Sequence, residues 1–114
     1  KNVEYDQAAF GISGLETSFA LSYTALVKGG ALSLEELAKK MSFNPARILN
    51  LEGGALEVGA PADFTAVDLG EKWTIDPKDF VSKGKNTPFT GREVYGRVKY
   101  TVVDGNIKYS EERK

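Results

Sequence analysis

The hydrophobic pattern changes its period between the two halves of the chain. Apolar residues of the first half recur at helical spacing, beginning with Leu15, Phe19, Tyr23 and Leu26. In the second half, apolar and polar residues alternate from Val94 to Val102, which predicts a strand with one apolar face. The pattern therefore predicts an α+β module in which helices come first and strands follow.

Capping signals bound the predicted helices. The segments 13–16 and 33–36 both match the Ser-x-x-Glu capping box, in which the hydroxyl and the carboxylate each bond a free amide of the first turn. This assigns a capping role to the glutamates of both segments. Two glycines at 29–30 are predicted to end the first helix. The Asn-Pro pair at 44–45 predicts a third helix, with Asn as its cap and Pro at its first position.

Two strands are predicted in the middle of the chain. A turn at 59–61 leads into a largely apolar, buried strand over 62–69, and 73–75 predicts a second short strand. Asp63 and Asp68 flank the first of these strands. Carboxylates in such places usually end a strand or bond turn amides, so neither is predicted to be catalytic.

A C-terminal β-hairpin is the most local prediction. The Asp-Gly pair at 104–105 predicts a two-residue type I′ turn. The turn implies three facing pairs: Val103 with Asn106, Val102 with Ile107, and Tyr100 with Tyr109. The apolar sides of the two strands then coincide, so that turn chemistry and hydrophobic register agree. Residues 111–114 are predicted to fray.

Length and charge exclude several classes of function. With 114 residues, the chain is one domain or a piece of one. A net charge of -1 and dispersed lysines and arginines argue against a nucleic-acid partner. No apolar run approaches the roughly 18 residues that a bilayer crossing needs, and the N-terminus lacks a signal-peptide pattern. We therefore expect a cytoplasmic protein without a membrane partner.

The composition also limits the chemistry of the chain. It contains neither cysteine nor histidine, which excludes disulfides, thiol nucleophiles and the usual zinc ligand sets, and removes the commonest general base. No catalytic residue and no metal ligand is predicted. The chain opens on Lys1 rather than on Met, which suggests a fragment. An independent, metal-free interaction module that offers its final hairpin to a partner is the alternative.

Several segments resemble a known family. Residues 54–68 (Gly-Ala-Leu-Glu-Val-Gly-Ala-Pro-Ala-Asp-Phe-Thr-Ala-Val-Asp) resemble the C-terminal signature of the amidohydrolase superfamily, and Asn-Pro-Ala-Arg at 44–47 is similar to the segment upstream of it. A narrower resemblance covers Ala-Ala-Phe-Gly-Ile-Ser-Gly-Leu-Glu-Thr at 8–17, Asn-Thr-Pro-Phe at 86–89 and Val-Tyr-Gly at 94–96. These three segments are similar to bacterial dihydroorotases of the longer, class I type.

The resemblance implies a fold and an activity. Residues 1–52 would form the substrate loop and closing helices of a metal-dependent (β/α)8 barrel, and 53–114 the C-terminal part of a small β-rich, sandwich-like domain. Enzymes of this family reversibly cyclise N-carbamoyl-L-aspartate to dihydroorotate in pyrimidine biosynthesis, use zinc as cofactor, and are expected as homo-oligomers. Their zinc ligands (histidines, a carboxylated lysine and an aspartate) have no counterpart here, so the fragment alone is expected to be inactive and to bind no zinc.

The resemblance also implies a substrate-binding site. The Phe-Gly pair of the family's substrate loop contacts the bound pyrimidine largely through backbone groups, which implies this role for Phe10 and Gly11. Glycine lets a backbone approach a ligand closely. The family often has proline before this phenylalanine, where this chain has Ala9. Two alternatives remain: that Phe10 only packs on the helix over 14–27, and that the enzyme is another cyclic amidase, an allantoinase or a hydantoinase.

Overall fold

Helices precede a three-stranded antiparallel sheet of order β1-β2-β3, which confirms the predicted α+β arrangement. The computed structural model describes residues 3–113. Its helical elements are a 3-10 turn Leu15–Thr17, α1 Ser18–Ser22, a π segment Tyr23–Val27, α2 Leu34–Ala38, a π segment Lys39–Phe43, and α3 Asn44–Ile48. Its strands are β1 Phe64–Thr74, β2 Glu93–Val103 and β3 Asn106–Ser110, and further 3-10 turns are Tyr5–Gln7, Pro77–Asp79 and Glu111–Arg113. No helix within residues 3–113 has the length and apolar character that crossing a bilayer requires.

The first helical stretch does not begin with the predicted capping box. Gly14 flanks its opening 3-10 turn, and no side chain caps that turn. The Glu16 carboxylate instead accepts hydrogen bonds from the Val81 and Ser82 amides, at 3.0 and 3.1 Å. The prediction for 13–16 is therefore wrong, because a loop distant in sequence engages this glutamate.

The buried face of the first stretch also differs from the predicted stripe. Thr17 and Ala20 are 0% and 3% exposed, whereas Leu15 is 93% exposed. Ala20 packs with Ile75 and Val94 in the core between helix and sheet. Of the predicted stripe, Phe19 and Tyr23 lie against the sheet at Gly96, whereas Leu15 and Leu26 are exposed.

Close approach of the helix to β2 is visible at two positions. The Thr24 hydroxyl accepts a hydrogen bond from the Tyr95 amide at 2.9 Å. At Gly96, an added Cβ would lie 3.3 Å from Phe19 Cε1. The stretch ends as predicted at the two glycines, where the Gly30 amide donates to Val27 O at 3.0 Å.

The second helical stretch confirms one predicted start and contradicts another. Ser33 Oγ accepts from the Glu36 amide at 3.1 Å, and the Glu36 carboxylate accepts from the Ser33 amide at 3.3 Å, which completes a capping box. Asn44, however, has helical angles (φ -65°, ψ -46°) and caps nothing, because α2, the π segment and α3 follow one another without a break. The Asn44 amide donates to Lys39 O, and this wider π turn carries the chain past Pro45, which has no amide hydrogen.

A single strand, β1, replaces the two strands predicted in the middle of the chain. Its pairing with β2 is irregular between Asp68 and Lys72, and Asp68 Oδ1 accepts from the Gly70 amide at 3.0 Å inside that irregularity. Asp68 and Gly70 thus mark a bulge rather than a strand end. The strand is not buried either, since no β1 residue is fully buried and Phe64 is 43% exposed.

The C-terminal hairpin forms around the predicted turn, in which Asp104 and Gly105 have φ of 50° and 74°. The first two pairs are as predicted, Val103 with Asn106 and Val102 with Ile107. A register shift then places Tyr109 opposite Thr101 and Ser110 opposite Tyr100. The predicted facing of Tyr100 and Tyr109 is wrong because this bulge moves the strand by one residue.

Charged residues hold the C-terminal turn to the sheet. Glu71 and Glu111 both pair with Lys99 and Arg97, and the Arg97 guanidinium lies 4.7 Å from the centre of the Trp73 ring. We call Glu71, Arg97, Lys99 and Glu111 the charge cluster. Because Glu111 is paired, the prediction that the chain frays from this residue is wrong, and the predictions for Lys1, Asn2 and Lys114 lie outside the described residues.

Candidate functional site

Phe10 and Gly11 form an exposed turn in the loop before the first helical stretch. The Phe10 side chain is 106% exposed, so the ring does not pack on the helix that follows. Gly11 has a φ of 73°, and a Cβ added to it would meet nothing within 4 Å. Only glycine adopts this backbone conformation without strain. The turn therefore presents an aromatic ring and backbone groups to the surroundings.

A second loop, which contains Val81, Ser82 and Asn86, holds this turn in place. The Asn86 side-chain amide donates to Gly11 O at 2.7 Å, and Asn86 O accepts from the Ser13 amide at 2.7 Å. The Glu16 carboxylate receives the two amide hydrogen bonds from 81–82. We call Glu16 and Asn86, with these four hydrogen bonds, the loop clamp.

Local interactions shape the second loop so that it can meet the first. Ser82 Oγ accepts from the Gly84 amide at 3.2 Å, and the Lys85 ammonium donates to Phe80 O. A Cβ added at Gly84 would lie only 2.6 Å from Ser13 Oγ. The two loops therefore pack closely at this glycine, and a larger residue there would displace the Ser13 hydroxyl.

A groove of about 350 Å³ lies beside the loop clamp, lined by residues 12–16, Phe80 and Ser82. The groove and the exposed turn together offer backbone donors and acceptors, apolar side chains and the aromatic rings of Phe80 and Phe10. Such a surface suits binding and orienting a ligand more than proton transfer or nucleophilic attack.

Asp63, just before β1, and Asp68, within it, both accept hydrogen bonds from backbone amides. Asp63 Oδ1 accepts from the Asp104 amide at 2.7 Å, which ties the strand entry to the hairpin turn. Asp68 bonds the Gly70 amide inside the bulge. Their carboxylates therefore have a structural explanation.

The residues of this chain do not fit a zinc centre. Histidine and cysteine are absent from the sequence, and within residues 3–113 no three aspartate or glutamate side chains converge as a metal cage. Zinc sites need three or four nitrogen, sulfur or oxygen ligands around one ion. The described residues of this chain therefore supply no step of zinc chemistry.

The sequence indicates only part of the site. The resemblance to a known family indicates Phe10 and Gly11, and both lie on one exposed turn. The local pattern at Glu16 predicts a helix cap, and Asn86 stands out only as part of a family-like segment. Their partners lie 65 to 75 residues away, so no local pattern could have identified the loop clamp.

Comparisons with known proteins place the chain in a family. The sequence model of the amidohydrolase family matches residues 4–108. A dihydroorotase from Syntrophus aciditrophicus (strain SB) is 53% identical over 112 residues, 98% of this chain and 26% of that protein. A dihydroorotase from Thermoanaerobacter sp. (strain X514) is 50% identical over 114 residues, 100% of this chain and 26% of that protein. The chain thus spans about a quarter of the length of these curated relatives.

A solved structure has the same fold over most of the chain. The L-hydantoinase (dihydropyrimidinase) from Arthrobacter aurescens is similar with a TM-score of 0.85 and 36% identity, over 91% of this chain and 24% of that one. The family model and this structural likeness each cover most of the chain. This chain therefore belongs to the amidohydrolase family.

Proposed function

We propose that this chain is the part of a dihydroorotase that supplies the substrate loop, the closing helices of the barrel and part of the small β-rich domain. The observation that carries the proposal is the identity to dihydroorotases, 53% and 50% over nearly the whole chain, against 36% to the hydantoinase. The reaction is the reversible cyclisation of N-carbamoyl-L-aspartate to dihydroorotate.

In this proposal the turn at Phe10 and Gly11 binds the substrate. Within the described part of the chain, the amide of Gly11 donates to no protein acceptor, and dihydroorotate carries ring carbonyls that accept hydrogen bonds. The exposed Phe10 ring offers an apolar surface to the face of the pyrimidine ring. The positive φ of Gly11 and the full exposure of the Phe10 ring support the proposal, since both mark a turn that is open to a ligand.

The chemistry of the proposed enzyme depends on groups outside this chain. Zinc, held by ligands outside this chain, would supply an activated water and polarisation of the amide carbonyl. The same proposal includes four further points. The chain divides into a barrel part, 1–52, and a small-domain part, 53–114; the metal is zinc; the enzyme is a homo-oligomer; and its location is cytoplasmic. They rest on the resemblance to dihydroorotases.

A hydantoinase is the second candidate, because the solved L-hydantoinase has the same fold. The experiment that separates the two is a chimera, in which this chain replaces the aligned segment of the Syntrophus aciditrophicus dihydroorotase. We expect the folded, metal-loaded chimera to turn over dihydroorotate and to leave hydantoin unchanged. Turnover of hydantoin alone would favour the second candidate, and turnover of neither substrate would contradict the proposal.

Within the chimera, Phe10→Ala tests the proposed ring contact. We expect the KM for dihydroorotate to rise about tenfold, the effect of losing roughly 1.4 kcal/mol of aromatic contact. Tyr5→Ala is the matched control, because Tyr5 is an aromatic residue that is 98% exposed in the same N-terminal region. Equal KM values for the two variants would remove Phe10 from the site.

A further inference from the structure

The loop that carries Phe10 and Gly11 is not held in place by burial of apolar side chains. Phe10, Leu15 and Val81 are 106%, 93% and 88% exposed, and Ile12 is 50% exposed. Between the 3-10 turns Tyr5–Gln7 and Leu15–Thr17 the chain has no regular secondary structure. The position of the loop must therefore come from polar interactions.

Glu16 contributes two of these interactions through one carboxylate. Its Oε1 accepts from the Val81 amide at 3.0 Å, and its Oε2 accepts from the Ser82 amide at 3.1 Å. Hydrogen bonds to an ionised acceptor are stronger than neutral ones, and two parallel bonds also fix orientation. Glu16 thus joins the start of the first helical stretch to a loop 65 residues away.

Asn86 contributes the other two through its side chain and its backbone. Its side-chain amide fixes the carbonyl of Gly11, and its own carbonyl fixes the amide of Ser13. The segment from the Gly11 carbonyl to the Ser13 amide is thereby held at both ends. Holding this segment fixes the C-terminal side of the turn that carries Phe10 and Gly11.

We propose that Glu16 and Asn86 are positioning residues, which hold the turn at Phe10 and Gly11 in the geometry that binds substrate. The consequence for substrate rests on the proposed function, whereas the loop clamp is a property of this chain. Binding groups have to be held within about 0.5 Å of the productive geometry. A loop without apolar anchors achieves this only through fixed hydrogen bonds of this kind.

Amide hydrogen exchange in the 114-residue chain tests the loop clamp directly. Glu16→Gln keeps the size of the side chain but leaves one acceptor oxygen for two amides, so we expect exchange at Val81 or Ser82 to become about tenfold faster. Asn86→Asp replaces the donor to Gly11 O with a carboxylate, and we expect a similar increase at Ser13.

Two control variants make the same chemical changes elsewhere. Glu36→Gln alters a carboxylate that accepts the Ser33 amide, and Asn106→Asp alters an amide that donates to Asp104 O at 3.0 Å. We expect both controls to leave exchange at Ser13 and at 81–82 unchanged. Unchanged exchange in the Glu16 and Asn86 variants would overturn the loop clamp.

The chimera tests the consequence for substrate. Glu16→Gln and Asn86→Asp should raise the KM for dihydroorotate about tenfold and change kcat by less than about twofold. A merely structural role would lower the active fraction, and so kcat, without changing KM. Unchanged KM in an active chimera overturns the positioning role and leaves the proposed function standing. An inactive chimera overturns the proposed function, and the exchange rates still decide the loop clamp.

Discussion

At Gly96 the sheet approaches the first helical stretch closely. Its φ is 96°, and an added Cβ would lie 3.3 Å from Phe19 Cε1 and 3.6 Å from Tyr23 Cδ1. Its carbonyl accepts from the Trp73 indole at 3.0 Å. The backbone conformation and the space around it both require glycine.

Gly96→Ala should therefore destabilise the chain more than a glycine substitution that introduces strain alone. We expect a loss of about 2 kcal/mol, from the left-handed backbone and from crowding against Phe19. Gly105→Ala is the matched control, since its φ is 74° and a Cβ there meets nothing within 4 Å; it should cost about 1 kcal/mol. The free energies of unfolding from urea titrations give the comparison, and equal losses would contradict it.

At the scale of elements, the same four-residue motif has two different structural roles. The Ser-x-x-Glu segment at 33–36 forms a capping box, whereas the one at 13–16 does not. Ser33→Ala should lower the free energy of unfolding by about 1 kcal/mol through loss of the cap. Ser13→Ala should change it by less than about 0.5 kcal/mol. Thermal or urea unfolding of the two variants checks this, and similar losses would show that Ser13 also caps.

The charge cluster predicts a pH dependence of stability. Hydrogen bonds that the Lys99 ammonium donates to the carboxylates of Glu111 and then Glu71 raise the pKa of Lys99 well above its ordinary value. Folding thus favours the ammonium form, so this contribution is complete below the unfolded pKa of about 10.4 and is lost as the pH rises toward the folded pKa.

Lys99→Gln tests this contribution. The variant should have a lower Tm than the parent chain at pH 8, and the difference should be smaller at pH 11, since the parent has begun to lose the contribution there. Lys108→Gln, at an exposed lysine of β3, should show little change at either pH. A difference for Lys99→Gln that is the same at both pH values would contradict the account.

The elements that could be predicted from sequence are those set by neighbouring residues. The turn at 104–105 needs only two residues with positive φ, and the cap at Ser33 needs only its own first turn. The irregularity in β1 could not be predicted, because it arises in the pairing with β2, which is distant in sequence. Glu16 shows the limit of local patterns most clearly. Its local pattern indicates a helix cap, but its carboxylate accepts hydrogen bonds from the amides of a loop that is distant in sequence.

At the scale of the whole molecule, the chain is more extended than a compact domain of its length. Its radius of gyration is 15.9 Å, against about 13 Å for a compact domain of 100 residues. Several large apolar side chains on its helices and middle loop are at least half exposed: Ile48, Leu49, Leu51, Leu56 and Val58. This exposure supports the proposal that further protein covers these residues in the working enzyme.

We propose that the turn at Phe10 and Gly11 binds substrate, while the zinc chemistry takes place in other protein. The measurement that tests it most directly is dihydroorotate turnover, with zinc content, for the isolated 114-residue chain beside the chimera. The account predicts turnover by the chimera, and neither turnover nor stoichiometric zinc for the isolated chain, since this chain has no histidine or cysteine. Turnover by the isolated chain that persists through chelator controls would contradict it, as would a folded, zinc-loaded chimera without activity.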